Sequence, residues 1–495
     1  MIADFIFKLE GILWGLPFII FVMLVGFYFT VRSGFFPFVK FGHILKHTAG
    51  SIKASESNKK KEGTVSPIEA VCIAIGGCVG AGNISGVASA IAVGGPGSIF
   101  WLWLWAFFGM MVKLVETALG CYYRSRDEKG DYYGGPMEYM EKGIGREMGI
   151  KFGYVLGFIF CIALLAMSIQ GSQAYTISEM IYNAFGVPML ATTVIYTIVI
   201  LYVIWKGTPR IAKFATVAVP IMCIAYLIGG IILVLLNIQN VPSAITMIFH
   251  DAFTGSAAVG GFVGASVTTA VRSGLNRSIN SNEAGQGSSP LIHSSADTVH
   301  PVRQGLWGAF EVFVDTIIVC SVTALAVVCT GLWSNGTTGA TLTMAAFETT
   351  YGMAGRIFMG IMAILFGLTT TAGWYTYYAA VIRRLLRRKP AVRDKVITFF
   401  KIYFPCMNVI IVSYITLTGH DADLFWSLVS VLLAFPVFTN LIALVFLHGK
   451  FWQLFKDYKA RYLGIGKVDP NFYVFYEDDP AIREREEEIR RGLEH

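Results

Sequence analysis

The residues of this chain best suited to chemistry are polar groups set in apolar surroundings. Asn83 stands within a run of glycines, Gly76, Gly77, Gly80, Gly82 and Gly86, in the stretch CIAIGGCVGAGNISG. Glycine costs up to about 1 kcal/mol in a helix interior, so this crowding predicts an unwound stretch. Unwound backbone at membrane depth is tolerated where it lines a cavity or binds something. The alternative is close helix packing through small residues. A break frees N–H groups at Ala81, Gly82, Asn83 and Ile84, where a positive dipole end suits a carboxylate. It also frees carbonyls near Cys78 and Val79, which suit a small hard cation.

A second set lies at Thr369, Thr370 and Trp374. Thr370 and Trp374 are four apart and share one helical face. The two hydroxyls, completed by carbonyls near Cys78 and Val79, predict an oxygen shell for Na⁺. The indole predicts a wall opposite Gly80–Asn83, leaving room for the small side chain of glycine, alanine or serine. Acceptors for the substrate ammonium are Asn83, Gln170 and Thr370. Gln170, beside Gly171 and Ser172, also suits an interhelical hydrogen bond.

Ionisable residues inside apolar stretches are functional candidates by default. Lys113 and Glu116 are three apart and predict mutual neutralisation. Asp315 lies about 18 Å along a helix from Arg303, at 1.5 Å per residue, which puts it near the midplane. It either carries coupling charge or ties helices together. The run SNEAGQGSSP (281–290) is expected at the cytoplasmic face, as part of an inner gate or as a structural loop.

What must position these groups is a membrane. Of the 495 residues 55% are hydrophobic and 14% charged, against about 25% charged in a soluble domain. The net charge of +7 does not point to nucleic acid, because the basic residues sit in short loops between apolar runs. The eight cysteines lie in or beside apolar segments with no CxxC pair, and read as small buried hydrophobes. No metal-spaced histidines, P-loop or nucleophile–base pair is present, so the chain reads as no enzyme and any transport is driven by a gradient.

Spans need about 20 apolar residues each. Eleven candidates satisfy this, at 11–31, 66–93, 98–123, 153–176, 189–205, 211–236, 257–271, 305–332, 357–382, 396–417 and 424–447. Lys and Arg concentrate in alternate loops, as at Lys59–Lys61, Arg124, Arg126, Lys206, Arg210 and Arg383–Lys389. By the positive-inside rule the N-terminus is outside and the C-terminus cytoplasmic. The charged tail after Asp469 is expected to be a solvated helix or a disordered end.

The seventh span is also glycine-rich, with Gly255, Gly260, Gly261 and Gly264. Spans 2–6 and 7–11 therefore make two five-helix halves of opposite entry, each opening with an interrupted helix. Such paired interruptions point to a central binding site. The expected division is an N-terminal helix and loop (1–65), a first repeat (66–240), a second repeat (241–450) and a charged tail (451–495).

Residues 80–124, GAGNISGVASAIAVGGPGSIFWLWLWAFFGMMVKLVETALGCYYR, resemble the signature of the alanine/glycine:cation symporter family. So do SNEAGQGSSPLIHSSADTVHPVRQGL (281–306), FVDTIIVCS (313–321) and TTTAGWYTYY (369–378). The resemblance runs over most of the chain. It implies an all-α polytopic membrane protein with eleven transmembrane helices, a LeuT-like five-plus-five inverted repeat with one extra N-terminal helix. It further implies symport of a small neutral amino acid with Na⁺ (or H⁺) across the plasma membrane, without other cofactors, and a substrate-facing position for Gln170. The family commonly carries threonine at Ala81, an Asn-Met pair before Gln170, and a glycine and a glutamate near Ala379 and Ala380. These departures bear on the substrate more than on the fold. From the residues alone, the competing readings are an ion or small-solute channel and a related transporter with another small substrate; only a symporter concentrates its substrate.

Overall fold

The computed structural model describes residues 2–51, 63–80, 82–169, 171–418 and 422–491. Among the described residues the chain is helical almost throughout, and its strands are the two-residue pair Ser125–Arg126 and Tyr132–Tyr133. Helices α1 (Ile2–Leu13) and α2 (Leu16–Arg32) form a pair bent by 40° at Gly15. Then come α3 (Pro67–Cys78) and α4 (Val87–Gly94), joined through a π-turn at Gly82–Gly86, and α5 (Ser98–Tyr122). They are followed by α6 (Phe152–Ala166), α7 (Ser172–Phe185), α8 (Met189–Ile204), α9 (Thr208–Leu236) and α10 (Val241–Thr254). Next are α11 (Val267–Asn282), the single turn α12 (Pro290–His293), α13 (Pro301–Val312) and α14 (Ser321–Cys329), the last two joined by a π-helical stretch at Phe313–Cys320. The chain closes with α15 (Gly339–Tyr351), α16 (Met353–Leu385), α17 (Pro390–Thr418), α18 (Ala422–Leu463) and α19 (Pro480–Arg491).

Among the described residues seven helices are long and apolar enough to cross a membrane, and up to nine spans result if each bent pair counts as one. The shorter apolar α8 stands beside that count. Exposed Ile, Leu, Val and Phe cover the outside of α2, α6, α8 and α9, as a lipid-facing surface requires.

Helix α3 starts where its sequence dictates. Ser66 accepts from the Glu69 amide at 3.2 Å, the Glu69 carboxylate accepts from the Ser66 amide at 2.9 Å, and Pro67 takes the first turn. This is a capping box with a preset φ. The helix ends at Val79, which is extended (φ −76°, ψ 94°), and α3 and the following helical segment meet at 45°. The expected first break is therefore present.

The expected seventh span, 257–271, is not. Residues 255–266 fold back on themselves, Ser256 pairing with Ala265 and Val259 with Phe262. Gly255, Gly260 and Gly264 have φ between 59° and 89°, a region that turns the chain and that glycine enters without strain. Helix begins only after Ser266, whose hydroxyl caps the Thr269 amide at 3.2 Å. The interruption lies further on. After Asn282 the chain turns at Glu283 (φ 56°), Gly285 (84°) and Gly287 (79°) before α12. SNEAGQGSSP is thus a second break, and all ten of its residues are buried.

The 153–176 span is interrupted too. Met167–Ile169 tightens to a 3₁₀ turn and Gly171 is left-handed at φ 55°. The charged tail is a largely exposed helix at Pro480–Arg491, as expected, but the stretch before it is anchored: Phe475 and Tyr476 are buried, the latter 5.3 Å from the ring of Tyr123. Glu477 pairs with Arg124 at 3.1 Å and Glu486 with Arg146. Two aromatic rings gain by leaving water, so the tail docks.

Candidate functional site

The site forms where α16 crosses the first break. A Cβ on Gly373 would lie 2.9 Å from the Gly77 Cα and 3.0 Å from the Ile73 carbonyl. Only glycine at this crossing lets the two backbones approach so closely. That approach brings the α16 side chains onto the carbonyls of α3. The Thr370 hydroxyl donates to Gly76 O at 2.9 Å and reaches Val79 O at 3.3 Å. The Trp374 indole N–H donates to Gly77 O at 3.2 Å. Thr369 behaves differently: its hydroxyl donates to Phe366 O (2.9 Å) and Leu365 O (3.0 Å) of its own helix, and its side chain faces Gly76 and Met222.

Gly80 is the joint of the break. A Cβ there would meet the Thr370 hydroxyl at 2.3 Å and the Gln173 amide oxygen at 3.1 Å. Gln173 is absent from the set that the sequence suggests; its signal is its place beside Gln170, Gly171 and Ser172 at an interrupted span. Thr370, Trp374, Gln173, Ser172, Phe404 and Asn408 line a small cavity of about 30 Å³. That is room for a water or a bare ion and not for an amino acid. One turn further along α16, Tyr375, Thr376, Ala379, Ala380 and Arg383 line a larger cavity of about 470 Å³, shared with Tyr133 and Lys206.

The other half of the expected set faces away. Gly82 lies against Asn280 and Ser281 of α11, and the Ile84 carbonyl accepts from Thr343 of α15 at 2.8 Å. The fully buried Asn83 returns its side-chain oxygen to the Gly80 amide (2.8 Å), which fixes the turn. Its NH₂ donates to Asp315 Oδ1 at 2.7 Å. Asp315 Oδ2 accepts from Ser281 and Thr316 hydroxyls, at 2.8 and 2.7 Å. So Thr370 and Trp374 meet the α3 carbonyls, while Gly82, Asn83 and Ile84 meet α11, Asp315 and α15. Val79 belongs to the first group, and the Cys78 thiol donates to Ile75 O of its own helix at 3.5 Å. Ala81 and Gln170 lie outside the described residues.

A charged cluster braces the second break. Lys113 Nζ is 3.1 Å from Glu311 and 3.9 Å from Glu116, and donates to Asn282 O at 2.9 Å. The expected Lys113–Glu116 pair is therefore secondary; the ammonium ties α5 to α13 and to the break. Glu116 Oε2 accepts from the Gly285 amide at 3.2 Å and from Asn440 of α18 at 2.7 Å. Glu311 also accepts from Ser289 at 2.8 Å and contacts His293 at 3.1 Å. At the C-terminal end of α16, Arg384 pairs with Glu138 at 2.5 Å and also with Glu141. Burial pushes the Glu138 carboxyl up, but Arg384 and Lys142 outweigh it and hold it well below the usual range.

A family model described as the sodium:alanine symporter family matches residues 1–471. The sodium/alanine symporter AgcS of Methanococcus maripaludis is 33% identical over 89% of this chain and 93% of that protein. The probable sodium/glutamine symporter GlnT of Bacillus subtilis is 34% identical, covering 94% of this chain and 92% of that protein. Among solved structures, a Na⁺-coupled sialic acid symporter in a substrate-bound outward-open state aligns with a TM-score of 0.52 at 13% identity, covering 83% of each chain. That likeness shows the fold, the one expected as LeuT-like.

Proposed function

Because this chain belongs to the sodium:alanine symporter family, a family of Na⁺-coupled carriers and not of enzymes, we propose that it takes up a small neutral amino acid, such as alanine or glycine, with Na⁺ across the plasma membrane. The observation that carries this reading is the set of α3 carbonyls held by exchangeable neutral donors. Gly76 O and Val79 O accept from the Thr370 hydroxyl, and Gly77 O accepts from the Trp374 indole. A cation can enter when the Thr370 hydroxyl hydrogen turns away, taking a lone pair of its oxygen together with the Val79 and Cys78 carbonyls. Thr369 joins such a shell by releasing the carbonyls of its own helix. The amino acid carboxylate takes the N–H groups of the break at Ala81–Ile84, and Asn83, Gln170 and Thr370 offer acceptors for its ammonium. The cavity beside Trp374 is too small for that ligand, so loading requires the indole to leave Gly77.

The chain crosses the membrane eleven times, as two inverted five-helix repeats after one extra N-terminal helix. The seventh crossing consists of α11, the second break and α12. The N-terminus is outside and the tail is cytoplasmic; cysteine labelling at Lys389 from the external face would overturn this orientation.

The test of substrate size is uptake into proteoliposomes with an imposed Na⁺ or H⁺ gradient, with glycine, alanine, valine, leucine and glutamine competing against labelled alanine. Alanine and glycine are expected to compete and leucine to fail, because overpacking costs about 1–3 kcal/mol. Trp374→Ala is expected to admit larger side chains while weakening alanine. Leucine competing as well as alanine on the parent protein sinks the small-substrate reading, and uptake without accumulation against a gradient identifies a channel.

A further inference from the structure

We infer that the C-terminal tail is an autoinhibitory latch, which through Glu486 holds the end of α16 and so keeps Trp374 against the first break. The inference rests on the symport reading only for the sense in which the latch inhibits. The latched stretch lies beyond residues 1–471, which the family model covers.

The tail begins with a firm anchor. Phe475 and Tyr476 are buried, the Arg124 guanidinium lies over the Phe475 ring at 4.4 Å, and Glu477 takes that guanidinium at 3.1 Å. Helix α19, which follows, keeps most of its charge in water and within the tail. Arg483 turns back to Glu477 O at 3.2 Å, and Glu487 pairs with Arg491 of its own helix at 3.6 Å. Glu486 is the exception: it reaches Arg146, in the π-helical stretch Met140–Glu147. Among the described residues this is the ion pair that fastens α19 to the body. Beside it a cavity of about 380 Å³ remains, lined by Arg126, Tyr132, Lys142 and Glu487. An aromatic anchor thus carries a helix that is loosely packed and held by one charge.

That charge closes a network ending on the helix of the candidate site. Arg146 also pairs with Glu141, and Glu141 pairs with Arg384 and, at 3.0 Å, with Arg387. Arg384 takes Glu138 as well, and Lys142 lies 3.5 Å from the same carboxylate. Without the tail two carboxylates, Glu138 and Glu141, would face four cations, Lys142, Arg146, Arg384 and Arg387. The excess positive charge would push the end of α16 away from 140–147. Glu486 supplies a third carboxylate and relieves that repulsion. Arg384 stands ten residues after Trp374 in one continuous helix, about 15 Å at 1.5 Å per residue. What holds the end of α16 therefore also holds the Trp374 indole on Gly77 O, the contact that loading must open.

The latch is built to respond to salt. The Glu486 side chain is 23% exposed and that of Glu138 only 1%. Screening reaches the outer pair first, since the Debye length falls from about 10 Å at 0.1 M to about 3 Å at 1 M. Rising ionic strength at this face frees α19 before it loosens the inner pairs, and Tyr476 keeps the tail tethered for return.

The experiment is hydrogen exchange on the purified full-length protein without amino acid, reading the tail at 474–488 and the first break at 76–84 together. Glu486→Gln, which keeps shape and removes charge, is expected to speed exchange in both about two- to fivefold, the scale of one half-screened ion pair. Raising choline chloride from about 0.1 to about 1 M is expected to do the same to the parent and less to the variant. Glu487→Gln, whose carboxylate is paired within α19, is expected to change neither region. In proteoliposomes the initial rate of labelled alanine uptake is expected to rise in Glu486→Gln. Faster exchange in the tail with none at 76–84 overturns the latch, as does a Glu486→Gln protein that exchanges like the parent. An equal effect from Glu487→Gln overturns it by making the response one of general charge, and slower uptake in Glu486→Gln overturns its inhibitory sense. A parent that moves no amino acid sinks the symport reading, and the exchange at 76–84 still decides the latch.

Discussion

In the first break the freed carbonyls of Gly76, Gly77 and Val79 are met by a hydroxyl and an indole, both neutral. In the second, Asn282 O is met by the Lys113 ammonium, the Gly285 amide by the Glu116 carboxylate, and Gly285 O by Asn440 at 2.8 Å. Both satisfy backbone groups that a lipid interior would leave stranded, but the partners differ in how readily they can be exchanged. A neutral hydrogen bond contributes about 1 kcal/mol net, little enough for a ligand to displace it. Removing one member of a buried ion pair costs about 3–5 kcal/mol, because the other charge stays behind. The pattern teaches that an unwound stretch is not by itself a binding site. The first break is built to change partners and the second to keep them.

The strongest way to break this comparison is Lys113→Met. It strands Glu311 and the Asn282 carbonyl in the core, and is expected to destabilise the fold by about 3–5 kcal/mol. Folded yield after detergent extraction and thermal unfolding of the purified protein read this out. A variant as stable as the parent would show that the second break needs no cation.

A smaller effect is expected from Gly373→Ala. Its new methyl meets backbone at 2.9–3.0 Å, and overpacking of this kind costs about 1–3 kcal/mol. Uptake should fall more than stability, since α16 would carry Thr370 and Trp374 away from the break. Equal losses in the two measurements would mean that the crossing is only structural.

Thr370→Val should barely move the unfolding temperature, with a cost of about 1 kcal/mol for one neutral hydrogen bond. It should nonetheless weaken the Na⁺ dependence of uptake, and Thr370→Ser should restore it. Unchanged Na⁺ affinity in the valine variant would remove Thr370 from the cation shell.

Much of the fold is legible in the amino-acid sequence, because membrane helices follow from composition: a long apolar run bounded by charge has few other ways to bury its backbone. The break at Gly76–Gly86 is legible for the same reason, since glycine weakens a helix wherever it stands. So is the pairing of Thr370 and Trp374 on one helical face, which depends only on the period of the helix. The second break is not. Glycine density points to 255–264, but glycines also serve turns, and nothing local distinguishes a surface turn from a buried interruption. What places the break at 282–289 is the set of partners waiting for it, Lys113, Glu116 and Asn440, which lie 155 to 169 residues away along the chain. The same holds for Asp315, whose neighbour Asn83 is 232 residues distant. The sequence by itself determined which segments are helical and where the first helix is weak, because those properties are local. Only the tertiary structure decided which polar groups face one another, because hydrogen-bond partners across a helical bundle are set by packing and not by spacing.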